Sequence, residues 1–108
     1  MCQFTTLHHN VHGYVVRCAD CRHIQVGFGT TAISYSSEEF EELRQNLRQC
    51  HDFYQDSPFP EMKCVHFQQM GSQVKLVYSP REVARLLDLV EMAALMLEIE
   101  KTLNPHQN

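Results

Sequence analysis

Cysteine and histidine are the residues through which this sequence could do chemistry. Two stretches spell Cys-x-His-apolar-Gln, "CRHIQ" from Cys21 and "CVHFQ" from Cys64, and "CADC" holds Cys18 and Cys21 with two residues between them. Thiolate and imidazole are preferred zinc ligands, and a structural zinc takes four in a tetrahedron. A Cys-x-x-Cys at a strand-to-strand turn supplies two, and His23, Cys64 and His66 are the candidates for the rest. The symmetric set is Cys21, His23, Cys64 and His66, with Cys18 as a competitor. Cys2 joins the candidates if the first hairpin turns near Asn10, because it then lies opposite Cys18. There is no second Cys-x-x-Cys, and the plain alternative is that these cysteines pack as small, fairly apolar side chains.

The same "CADC" reads as a redox dithiol. Thioredoxin-like pairs activate a thiol at a helix N-terminus, whereas "RHIQVGF" after Cys21 reads as strand. Asp20 between the cysteines disfavours a thiolate, and Arg17, Arg22 and His23 favour one. Other arrangements are weaker. Cys50 and His51 are neighbours on a helix and do not face each other; Cys50 instead closes an apolar stripe with Phe40, Leu43 and Leu47. His8, His9 and His12 near the terminus read as solvated. "GFGT" has too few glycines for a phosphate loop and no helix directly after it. "SSEEFEE" reads as helix capping and solubility.

Two helices must position these residues. In "SYSSEEFEELRQNLRQCHDFY", Ser36 caps, Glu39 completes a capping box, and Tyr35 and Phe40 make a hydrophobic staple. In "VYSPREVARLLDLVEMAALMLEIEKTLNP", Ser79 caps, Pro80 is the first helical residue, Glu82 completes the box, Tyr78 and Val83 make the staple, and Asn104-Pro105 stops the helix. This second helix is apolar on most sides, so it is either central or packed on a second chain; a homodimer through it is the expectation.

The strands come in pairs. "KCVHFQQMGSQVKLVYS" reads as a hairpin turning at Gly71-Ser72, with Phe67 opposite Leu76 and Val65 opposite Tyr78. Val65, Phe67, Val74, Leu76 and Tyr78 then share one face, and Cys64, His66, Gln68 and Lys75 the other. "GYVVRCADCRHIQVGFGTTAISYS" reads as strand, tight turn, strand, with a further reversal at Gly27 to Gly29. Ile24, Val26 and Phe28 fall on one face, and Cys21, His23 and Gln25 on the other. "CQFTTLHH" adds a strand that turns near Asn10.

Shifting the chain by about forty residues sets Cys21 on Cys64, His23 on His66, Tyr35 on Tyr78, Ser36 on Ser79 and Glu39 on Glu82. The register suggests two duplicated hairpin-helix units, 11–54 and 62–104, within one domain spanning 1–108. Both Cys-x-His pairs then point away from the apolar face.

Composition narrows the function classes. The 108 residues suit one modest core, and the net charge of −4 with scattered Lys and Arg argues against nucleic acid as a partner. "VARLLDLVEMAALMLEIE" is interrupted by Arg85, Asp88 and Glu91, so no membrane span is expected. The start lacks a secretory pattern and five cysteines suit a disulfide framework poorly. A cytoplasmic protein with reduced thiols follows.

The stretch from Gly13 to Leu43, "GYVVRCADCRHIQVGFGTTAISYSSEEFEEL", resembles an uncharacterised family of short bacterial proteins with a Cys-x-x-Cys turn, an "FGT"-like stretch and a capped helix. The resemblance implies a small bacterial cytoplasmic protein and transfers no catalytic residue. The expectation is therefore an α+β fold, an antiparallel sheet of four or five strands with two helices on one face, in the order strands, helix, hairpin, helix. The function expected is a non-enzymatic binding or regulatory module, with zinc as its candidate cofactor on Cys18, Cys21, His23, Cys64 and His66. The alternative is a thiol redox protein using Cys18 and Cys21.

Overall fold

The computed structural model describes residues 3–68 and 73–103. The elements run β1 (Phe4–Asn10), β2 (Gly13–Cys18), β3 (Ile24–Phe28), β4 (Thr31–Tyr35), α1 (Ser37–Tyr54), β5 (Val65–Gln68), β6 (Lys75–Tyr78) and α2 (Pro80–Leu103). This is the expected α+β fold: β1 to β4 form an antiparallel meander in sequence order, and β5 and β6 form a separate two-stranded sheet.

Each reversal has a local cause. At Asn10 the side-chain Oδ1 accepts hydrogen bonds from the His12 and Gly13 N–H groups at 2.8 and 3.2 Å, an Asx turn that closes the first hairpin. Gly29, with φ of 61°, takes the left-handed turn between β3 and β4. Gly13 is required for another reason: a Cβ there would sit 2.1 Å from the Gly27 carbonyl oxygen on the neighbouring strand. Gly27 in turn lies under the Tyr14 ring.

Both helices begin as their caps dictate. The Ser36 N–H donates to Glu39 Oε1 at 2.8 Å and the Glu39 N–H donates to Ser36 Oγ at 3.1 Å. The Ser79 N–H donates to Glu82 Oε1 at 2.9 Å and the Glu82 N–H donates to Ser79 Oγ at 3.1 Å. Asn104-Pro105, the expected stop of α2, lies outside the described residues, and so does the turn at Gly71-Ser72.

Alternation places Val15, Ile24, Val26 and Phe28 in the core beside Leu7. α2 covers them: it packs on β1, β2, β6 and α1, and buries Val83, Leu86, Leu89, Val90, Ala93 and Ala94. α1 contributes Phe40 and Leu47 from one narrow face. The apolar surplus of α2 is thus largely explained within the chain, since the helix packs on four other elements. Met92, Leu95, Met96, Ile99 and Leu103 remain exposed. No described helix is long and apolar enough to cross a membrane.

Candidate functional site: the Cys18–Cys21 turn

Cys18 ends β2 and Cys21 sits in the turn before β3. The turn is closed at its base, where the Cys18 N–H donates to the His23 carbonyl at 2.9 Å and the Arg22 N–H donates to the Cys18 carbonyl at 3.0 Å. A further bond from the Ala19 N–H to the Gln3 carbonyl, 2.8 Å, ties the turn to the chain entering β1. Arg22 closes the loop at φ of 68°, a left-handed conformation that glycine or asparagine adopts more readily.

Inside this loop the Cys21 N–H points at Cys18 Sγ, with an N···S distance of 3.4 Å. The two thiol positions differ sharply: Cys18 has no exposed surface, whereas Cys21 is exposed. Cys18 also lies outside the hydrophobic cluster that the helices cover. In the sheet its register partner is Phe4 at the start of β1.

The remaining candidates are dispersed. His23 is exposed just before β3, and its charge contributes, behind the two Ser36 hydrogen bonds, to holding the Glu39 carboxyl below its usual range. His66 is exposed on β5. Cys64 departs from the expected solvent-directed placement: it precedes β5 and packs, half-buried, against the core cluster. Strand parity did not govern it because it is not in the strand. Among the described residues no group of three or more Cys, His, Asp or Glu comes together to hold a metal ion. Cys2 lies outside the described residues. Cys50 packs against the core as the closing member of the α1 stripe, and burial pushes its thiol pKa upward.

The matching Cys-x-His stretches also fail to occupy matching positions. Ile24 pairs with Tyr35 in one hairpin and Val65 with Tyr78 in the other. Counted from those pairs, the residue entering the first strand is His23 in one unit and Cys64 in the other. The caps repeat in register and the cysteines do not.

Sequence reasoning passed over the surroundings of the turn. A polar cleft of about 280 Å³ runs beside it, lined by Arg17 from β2, Arg22 from the turn, Glu41 and Arg44 from α1, and Glu98 and Lys101 from α2. The side chains come from three distant segments, so no local pattern announces the cleft. Arg17 fixes one wall through a 2.7 Å ion pair to Glu100 of α2.

A family model described as a family of unknown function (DUF6686) matches residues 1–105. No curated protein and no solved structure matches the chain.

Proposed function

This chain belongs to DUF6686, a family of unknown function, and we propose that its Cys18–Cys21 turn works as a reversible dithiol. The observation that carries this is the 3.4 Å approach of the Cys21 N–H to Cys18 Sγ within a loop closed by backbone hydrogen bonds. That approach sets the buried sulfur beside the residue carrying the exposed one. Such a donor also stabilises negative charge developing on the sulfur.

The roles follow from exposure. The Cys21 thiolate attacks one sulfur of a small or protein disulfide, forming a mixed disulfide and releasing one thiolate. Cys18 then attacks the Cys21 sulfur, closing the intramolecular bond and releasing the second thiolate. The two thiol protons end on the two leaving thiolates, and the incoming disulfide is reduced as the pair is oxidised.

Oxidised glutathione tests this in the full-length protein. Wild type gains an internal disulfide between residues 18 and 21, reversed by dithiothreitol. Cys18→Ser stops at a mixed disulfide on Cys21, and Cys21→Ser forms neither. Modification of Cys50 and Cys64 as fast as of Cys21, or no internal disulfide at a strongly oxidising glutathione ratio, overturns the reading.

The exposed stripe of α2 supports a second proposal, a homodimer through this helix. Met92, Leu95, Met96, Ile99 and Leu103 recur at three- and four-residue spacing, as a helix seam requires. The charges flanking the seam are neutralised within the chain: Glu91 by Arg44 and Arg48, Glu100 by Arg17, and Glu98 by Lys101. Two copies that bring these seams together therefore meet no net repulsion from Glu91, Glu98 or Glu100. Solution mass at micromolar concentration should read as a dimer, and Leu95→Glu should return a folded monomer. A wild-type monomer overturns the proposal.

A further inference from the structure

The two hairpins enclose an aromatic cavity that the dithiol reading does not use. It has a volume of about 120 Å³ and lies where β3, β4 and α1 meet β5 and β6. Phe28 and Tyr35 come from one hairpin, Phe67 and Tyr78 from the other. The Tyr78 ring sits edge-on to both Phe28 and Phe67, with centroid separations of 5.8 Å in each case. Leu43, Leu47 and Leu86 of the helices close the floor.

The charged side chains at this cavity have one sign. Glu39 and Glu42 line it, and among the described residues the lining contains no lysine, arginine or histidine. Both carboxylates are on the first turns of α1 and exposed at the rim. Glu39 is fixed there by its capping box, and the Ser36 N–H and hydroxyl hold its carboxyl below the usual range, so it stays charged at neutral pH. The tyrosines are held neutral. Burial, followed by the neighbouring Tyr78 and Glu39, pushes the Tyr35 pKa up to about 12, and burial with Glu82 raises that of Tyr78.

Aromatic faces attract cations through their quadrupoles, and carboxylates at the rim add to that attraction. An anion entering here would meet two carboxylates and no cation in the described lining. A neutral apolar molecule would gain from the walls but nothing from the rim. The volume suits a small group, since an engineered cavity of about 150 Å³ takes up benzene. We propose that this cavity binds a small organic cation, a methylated ammonium group carried on a compact apolar body.

Tetramethylammonium chloride is the probe and tert-butanol its neutral counterpart, each titrated into 15N-labelled full-length protein at constant ionic strength. Saturable shifts are expected at Phe28, Tyr35, Phe67 and Tyr78, with the cation bound at least about fivefold more tightly than the alcohol. The double variant Glu39→Gln, Glu42→Gln should reduce that preference, leaving the part the rings supply; glutamine at 39 retains the capping geometry, so the fold persists. Phe67→Leu should weaken the cation selectively, while Tyr78→Phe, which keeps the ring face, should alter its affinity less than twofold. Equal affinity for cation and alcohol, shifts centred elsewhere, or an unchanged preference in the double glutamine variant each overturns the proposal.

Discussion

The hairpin-helix β3–β4–α1 and the hairpin-helix β5–β6–α2 start from the same local instructions and end in different environments. Each closes on a tyrosine, then a serine cap, then a glutamate three residues on, and both capping boxes form in full. Yet β3 is an inner strand of the four-stranded sheet, while β5 and β6 have only each other. α1 buries Phe40 and Leu47, while α2 is buried along most of its first four turns. Local chemistry sets where an element begins. What it lies against sets how much depends on it. A two-stranded hairpin is marginal by itself, so β5–β6 must rely on Val65, Phe67 and Tyr78 packing onto the rest of the molecule.

The largest test of that asymmetry lies in the helices. Leu89 of α2 is fully buried, and Leu89→Ala should cost about 3–4 kcal/mol as cavity and lost contacts combine. Leu43 of α1 is only partly buried, so Leu43→Ala should cost roughly half as much. Urea unfolding of both variants measures the pair. Equal losses would mean that α1 is as central as α2, and the comparison would fail.

The caps provide the next contrast. Ser79 is 1% exposed, whereas Ser36 is half-buried with its box in solvent. Ser79→Ala should cost about 2 kcal/mol and Ser36→Ala about 1 kcal/mol, because a lost cap is dearest where water cannot replace it. The same unfolding measurements decide this, and a reversed order would contradict the burial argument.

Those caps also show what the sequence makes legible and where legibility stops. Ser36 with Glu39, Ser79 with Glu82, the turn at Asn10 and the pairing of Val65 with Tyr78 were all readable, because each depends on neighbours within a few residues. The burial of Cys18 was not readable from strand alternation, which sets it on the face opposite Val15 and outside the core cluster. Cys64 sits one step outside β5, where alternation has no hold, and packs on the core. The aromatic cavity was hidden for a related reason. Tyr35 and Tyr78 each read as half of a helix staple, and only the docking of one hairpin against the other makes them walls of a shared space. An aromatic on the apolar face of both hairpins was the available signal.

Protonation separates the same two units at the pH extremes. Both cap carboxylates titrate below their ordinary range, Glu39 through its Ser36 hydrogen bonds. For Glu82, partial burial pushes the other way, and the Lys63 ammonium with the Ser79 donors outweighs it. A depressed carboxyl contributes stability that is complete above its unfolded pKa and is lost as pH falls through the folded value. Glu39→Gln and Glu82→Gln should therefore lower stability at neutral pH and flatten its decline below about pH 4.5, so that variant and wild type converge in acid. The alkaline side belongs to the tyrosines. Tyr35, raised to about 12, keeps its proton after the unfolded chain has lost its own, so its contribution is complete below about pH 10 and is lost as pH rises to 12. Absorbance at 295 nm should show Tyr35 ionising about two units late, and Tyr35→Phe should remove that step.

The smallest effect joins the two units directly. Glu91 of α2 meets Arg44 and Arg48 of α1 at 3.1 and 2.6 Å, in a partly exposed ion pair. Exposed pairs of this kind contribute about 0.5–1 kcal/mol, and salt screens them. Glu91→Gln should cost that much in low salt and little in about 1 M sodium chloride. The joint change Arg44→Ala, Arg48→Ala should be less than additive with Glu91→Gln, because both remove the same ion pairs. Full additivity would mean that α1 and α2 are joined by their apolar faces alone. That outcome would sharpen the contrast, since α1 would then depend on α2 only through Phe40, Leu47 and their partly buried neighbours.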